Sequence, residues 1–488
     1  MRRPRFKHLA ALGATLALLA GVGLVADRYA TRRGDERRLG EALSKLDGDD
    51  PEWRVGGVVK VHNAAIPDDD AANVTKVTIN ALGWRPLAGK SRQAAIDAKE
   101  VPDLTWDDDR LPHDDEFCSL YEVHLDSGQA HREAFAARKF PTGGLPLHPV
   151  EPDPFATLLP DHQRIREGCN LFGDYATVEA YLGRGDEALS AADACLHLAQ
   201  ASLATDPLLI SQLVRNAGCA VAVGSAQKTL AWSEPAGGLA VLQAAFAQAA
   251  AADGLTVAMR GERAIVMRVC ENVLSGALPA DHIEQTLLRG RGATSDWDRV
   301  QRRLNAPDRV HQAQNLLLVY NRVVAAMALR GPARRTACQM AVGLVTRDVA
   351  GLTGGIERGV EADDRCKARL LCASVGLACE RYRREVGHFP EALGDIPKAT
   401  LPAVPTDPFS GKPLLYKLHP EGAVVYTVGP KGTYEGEPGP DDWMAAQQPQ
   451  QNEFRLWNPE SRRRPPLPRL DPDAFVDDLP DPLPGDAP

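Results

Sequence analysis

LFGDYATVEAYLGRGDEALSAADACLHLAQ, residues 171–200, reads as helix, turn, helix. Gly183 and Gly185 stand where the first helix should stop, because glycine enters the left-handed backbone region at little cost. Asp186 is placed to cap the second helix, its carboxylate accepting from the free N–H groups of the first turn. Beyond it Leu189, Ala192, Leu196 and Ala199 recur on one helical face, with Ser190, Asp193, His197 and Gln200 off it. A stripe of that kind is stable only when another helix covers it. The spacing therefore predicts a packed helical hairpin.

The pattern continues on both sides. After Asp206-Pro207, Ile210, Val214, Ala217 and Val221 repeat at helical spacing until Ser233-Glu234-Pro235. Further helices are expected over 238–252, 262–274, 311–329 and 334–349. Residues 316–329 are apolar but short and interrupted by Asn321 and Arg322, which makes them a buried core helix rather than a membrane span. Of the 488 residues 44% are hydrophobic and 25% charged, which excludes a wholly disordered or collagen-like chain. Scarce aromatics and abundant Ala and Leu favour helices over an all-β design. A formal charge of −9 removes any overall basic surface, so no nucleic-acid partner is expected. The nine cysteines are odd in number and lack paired C-x-x-C units. Cys195, Cys219, Cys372 and Cys379 fall in apolar helical patterns and read as small core residues, with room for one or two disulfides if the body is exported.

Ahead of this body, MRRPRFK is followed by the apolar run LAALGATLALLAGVGLVA, residues 9–26. Eighteen residues at 1.5 Å each span about 27 Å, close to a bilayer's hydrocarbon core. A cleaved signal would need small residues at −3 and −1, and the best cut, after Ala26, puts Leu24 at −3. The reading is an uncleaved signal-anchor. Arg2, Arg3, Arg5 and Lys7 favour a cytoplasmic start, although Arg28, Arg32, Arg33, Arg37 and Arg38 oppose it. The expected location is a single pass through the inner (cytoplasmic) membrane, with a periplasmic, extracytoplasmic body.

The organisation that follows is an anchor over residues 1–30 and a charged stalk with a partly irregular region over 31–153. An α-helical domain occupies 154–361, a helix plus β-hairpin unit 362–460, and a disordered Pro/Asp-rich tail 461–488. Asp68 to Asp70 are placed to cap a helix toward Leu82, and 102–152 should be a long connection rich in proline and acids. Near the end, 414–418 and 423–428 are β-branched and aromatic and should pair as a hairpin. The fold class is mainly α: a helical bundle or irregular α-solenoid with a small α+β unit behind it.

Two resemblances sharpen this. The 171–200 unit resembles a tetratricopeptide-type hairpin, with Tyr181, Gly185 and Ala188 near the expected places, although no clean 34-residue repeat follows. The segments ERYRREVGHFPEAL, VPTDPFSGKPLLY and VVYTVGPKGTYEG, with Asp441-Asp442-Trp443, resemble the C-terminal domain of the type II secretion major pseudopilin. With the later FRLWNP, the whole layout is similar to membrane-anchored proteins of planctomycete-type bacteria. The pseudopilin resemblance implies a secretion-associated component. The processed G-F-T-x-x-E motif of that family is missing from MRRPRFKHLAAL, which argues against assembly into a fibre. It also implies a calcium loop, in which Lys431 replaces the first aspartate and Glu435, Glu437, Asp441 and Asp442 remain as oxygen donors.

Motifs for chemistry are sparse. Gly89-Lys90-Ser91 lacks the earlier glycine of a phosphate loop, since position 84 is Trp84. His113, His124 and His131, among Asp114, Asp115, Glu116, Cys118 and Glu122, form the densest metal-like cluster and would carry a metal-assisted hydrolase if they converged. Asp107 to Asp109 and the pair Asp363-Asp364 read as caps and solvated turns. No nucleophile elbow, H-E-x-x-H or kinase set is present. The leading expectation is a non-enzymatic, membrane-tethered protein that presents its helical surface to a protein partner, without a cofactor.

Overall fold

The computed structural model describes residues 30–84, 110–279, 309–346, 349–430 and 452–466. The chain is mainly helical, with one small antiparallel sheet. A helix over 30–49 (α1) is followed by α2 (Val55–Ala64) and α3 (Val74–Ala81). Next come α4 (Asp114–Asp126) and α5 (Gly128–Ala136), where the sequence reading expected irregular chain. The hairpin of residues 171–200 is α6 (Pro160–Tyr181) and α7 (Gly185–Leu203), which pack on each other and on α8 (Leu209–Trp232). Leu189, Ala192, Leu196 and Ala199 are buried, as their spacing required. Asp186 lies inside the first turn rather than at the cap, and its carboxylate accepts from the Gly237 N–H at 2.8 Å.

The apolar stretch 239–275 is long enough to cross a membrane, yet Ala252-Asp253 break it into α9 (Leu239–Ala251) and α10 (Gly254–Ser275). Each buries one face in the protein. Then follow α11 (Arg309–Ala326), α12 (Gly331–Val342) and α13 (Gly354–Val386), the longest helix among the described residues. The boundary expected at residue 362 falls inside α13, which runs through it without a break. Gly387, at φ 95°, ends α13 in the left-handed conformation that glycine favours.

Three strands complete the body: β1 (Leu415–His419), β2 (Gly422–Tyr426) and β3 (Glu453–Trp457), in that spatial order. The β1–β2 hairpin matches its sequence pattern, with Leu415 opposite Tyr426 and His419 opposite Gly422. The third strand was hidden in FRLWNP. It lies on α8 and α13, and the Arg455 N–H donates to Gln227 Oε1 of α8 at 3.0 Å.

Two cores meet along α13. One gathers α3, α5 to α9, the second half of α13 and the sheet; the other gathers α10, α11, α12 and the start of α13 through Ile356 and Val360. The expected stalk is part of the second core. Leu39 and Leu46 of α1 are buried there with Trp53, and the Trp53 indole N–H donates to Asp47 at 2.8 Å. An apolar stripe in an otherwise charged helix is the physical reason, since burying two leucines removes their area from water.

Residues 461–466, expected to belong to a disordered tail, are ordered against the body, and the rest of that expected tail lies outside the described residues. Arg462 is bound by the buried Glu380 carboxylate at 3.1 Å and donates to the Ser233 carbonyl. Arg463 donates to the carbonyls of Tyr181 and Trp232, and Arg464 lies over the Trp457 ring at 3.6 Å. Three charged residues that read as solvated are a clip holding β3 against the ends of α6 and α8.

Candidate functional site

Arg358, Glu361, Arg365 and Arg369 recur every three or four residues and so share one face of α13. That face looks across a half-open pocket of about 410 Å³ at Asn216 and Ala220 of α8, with Asn452 closing one side. Small side chains explain the space. Ala217, Ala220 and Ala362 line it where larger residues would fill it. Arg365 pairs with Glu361 at 2.5 Å, whereas exposed Arg358 has no ion-pair partner among the described residues. The rim thus carries the Arg365–Glu361 pair and one guanidinium, that of Arg358, without an ion-pair partner among the described residues.

Beneath it lies a buried charge cluster. Asp363 is approached by Arg334 at 2.8 Å, Lys367 at 2.9 Å and Arg215 at 3.5 Å. Asp364 pairs with Arg334 and stands 3.8 Å from Arg335. Arg215, Arg334, Asp363 and Asp364 are each at most 2% exposed. Removing such charges from water is costly unless they are paired. Burial acts to raise the Asp363 carboxyl, but Lys367, Arg334 and Arg215 outweigh it and hold it below the ordinary range. Asp364 is shifted upward, because burial exceeds the help it receives from Arg334 and Asp363 repels it. Three buried cations therefore face two carboxylates, one of them biased toward its neutral form. The cluster leaves positive charge behind the pocket.

The pocket floor carries two thiols, Cys219 of α8 and Cys366 of α13. Cys366 donates to Cys219, which lowers the Cys219 thiol despite burial, with Arg215 and a hydrogen bond from Gln200 at 3.2 Å also favouring its anion. The same contact, together with burial, pushes Cys366 well up. All nine cysteines are free.

No family model, curated protein or solved structure matches the chain. Its site must be judged from its own geometry.

The residues singled out in the sequence lie elsewhere. His113 precedes α4, and its N–H donates to the Glu116 carboxylate at 3.0 Å. His124 and His131 are brought together around Tyr175. The His131 ring stacks on Tyr175 at 3.4 Å between centroids, and His124 lies 4.8 Å from the same ring. Burial pushes the His131 imidazole down to about 3, helped by His124 and Arg132, and burial also lowers His124 despite Glu179 at 3.7 Å. The gap left there, about 10 Å³, is at the limit for one water molecule. Among the described residues no group of three or more His, Cys, Asp or Glu is close enough to hold a metal ion. The calcium-loop candidates Glu435, Glu437, Asp441 and Asp442 lie outside the described residues.

Two elements of the pocket escaped the sequence reading. Asp363-Asp364 are not turn residues but lie mid-helix in α13, fully buried. Cys219 and Cys366 do sit in the core, but beside each other and against the pocket. The available signal was the run Arg358, Arg365, Arg369 on one helical face, too many like charges for a helix covered on all sides.

Proposed function

We propose that the protein is a membrane-tethered adaptor, not a catalyst, whose body stands outside the cytoplasm and presents its helical surface to a protein partner. The burial of Leu39 and Leu46 carries this reading. The apolar run of residues 9–26 precedes the described part of α1 closely in sequence, and α1 is fixed to the body by that burial. An anchored chain built this way holds its body against the bilayer at a set distance, as a docking platform requires. The continuity of α13 through both cores supports it further, since one rigid body offers one surface.

Alkaline carbonate extraction of membranes from cells making the full-length chain should leave it in the pellet. Added protease should then degrade the body only from the extracytoplasmic side. Recovery of full-length protein in the aqueous fraction would refute the tether. A photo-crosslinker at Met340, 70% exposed on α12, should give one reproducible protein adduct in the same membranes.

A secretion-associated role is the second reading, favoured by the order of a long helix followed by an antiparallel sheet. Deleting the unit would unfold both cores, because α13 belongs to each. The clean test is Leu415→Asp with Leu418→Asp on exposed β1; unchanged secretion would count against this role.

A further inference from the structure

We propose that the pocket between α8 and α13 is a binding site for a small carboxylate anion. The inference is independent of the tether and of any protein partner. Four observations converge on it. The cavity of about 410 Å³ is within the range of small-molecule sites and opens to solvent. Its rim holds the exposed Arg358, which has no ion-pair partner among the described residues, beside the Arg365–Glu361 pair. Its wall holds Asn452, only 4% exposed, whose side-chain Nδ2 has no hydrogen-bond partner among the described residues. A buried amide donor without a partner is expensive, and a ligand carboxylate would satisfy it.

The fourth observation is the charge behind the pocket. Arg215 hydrogen-bonds Asn216 Oδ1 at 3.5 Å while its Nε and Nη1 have no hydrogen-bond partner among the described residues, although the side chain is 2% exposed. The cluster it belongs to has cations in excess of carboxylates, so its field is uncompensated on the pocket side. An anion seated between Asn216, Asn452 and Arg358 would offset that excess in a medium where charges act strongly. Asn452 is well placed to hold its position. Its carbonyl accepts from the Thr427 N–H at 3.1 Å and from the Cys372 thiol, so the backbone carrying the free amide is pinned. Carboxylates suit this donor set because a planar guanidinium and an amide can each address one oxygen.

The test is isothermal titration of the full-length chain in detergent with succinate, citrate and inorganic phosphate, at physiological salt. Saturable one-to-one binding of succinate or citrate is expected, weakened about tenfold or more by Arg358→Glu, since a charge-assisted contact is replaced by repulsion. Asn452→Asp, which places an anion at the same point, should weaken it comparably. Arg330→Glu, at a side chain 69% exposed and not lining the pocket, should leave it unchanged. Far-UV circular dichroism separates lost binding from lost folding, and Arg358 is exposed enough for its variant to keep the fold. No saturable heat with either carboxylate up to about 10 mM would overturn the proposal. So would equal weakening by Arg358→Glu and Arg330→Glu, which is the mark of diffuse charge attraction. Tight binding of phosphate with none of the carboxylates would overturn the assignment of ligand class.

Discussion

Acidification should loosen this protein through His131. The imidazole is 6% exposed, stacked on Tyr175 and near Phe172 and Phe135, and its Nε2 has no hydrogen-bond partner among the described residues. Burial, then the neighbouring His124 and Arg132, lowers it from 6.5 to about 3. The sign follows from linkage. Between those values the unfolded chain binds a proton that the folded chain refuses, so stability falls as pH falls. From pH 7 to pH 5 the unfolded state gains about 1.4 units of protonation free energy, and the folded state almost none. The loss is therefore about 2 kcal/mol from this residue alone. His124 is shifted the same way and adds to the wild-type loss, but it is present in a His131→Phe variant too and cancels in the comparison. Phenylalanine keeps a flat ring against Tyr175 while removing the titration. Urea unfolding followed by circular dichroism at pH 7 and pH 5 should show the variant losing about 2 kcal/mol less than wild type. The same loss in both proteins would refute the reasoning, because it would mean that the folded site accepts the proton.

Glu380 is fully buried and accepts from Arg383, Arg384 and Arg462, so Glu380→Gln should cost about 3–5 kcal/mol in urea unfolding. A double-mutant cycle with Arg462→Ala should show strong coupling, whereas additive losses would mean that the clip does not engage. At Gly376 a Cβ would stand 2.3 Å from the buried Phe454 ring; Gly376→Ala should cost about 1–3 kcal/mol, with part of the loss recovered by Phe454→Leu. Leu46→Ala should cost about 2–4 kcal/mol if α1 is part of the core, against no change for a free stalk.

What the sequence made legible was what periodicity encodes. The face Leu189, Ala192, Leu196, Ala199 and the hairpin β1–β2 were visible because repeats of 3.6 and 2 residues survive in one dimension. Failures came where a residue's partner lies far along the chain. Asp363-Asp364 read as solvated because isolated carboxylates usually are, and only the fold brings Arg215 and Arg334 to them. Arg462 to Arg464 read as tail for the same reason: their anchors, Glu380, Ser233 and Tyr181, are remote in sequence. His124 and His131 are a different case. They do meet, but around an aromatic ring, because Tyr175 projects from α6 between them.

The helix α13 shows how one periodicity serves three environments. Its positions 358, 361, 365 and 369 face the pocket, 363, 364 and 367 enter the buried charge cluster, and 372, 376 and 379 lie against the sheet and its neighbouring helices. These sets interleave along the helix, so a change in one face shifts the others through a rigid element. Asp363 is the point of strongest linkage, since its carboxylate holds Arg215 of α8 behind Asn216 and Arg334 of α12 against α13. Replacing it by asparagine would leave three buried cations with one carboxylate, a state that favours an anion in the pocket still more but costs the core its compensation. Stability and anion affinity should therefore move in opposite directions in Asp363→Asn, a pairing that simple unfolding of the site cannot produce.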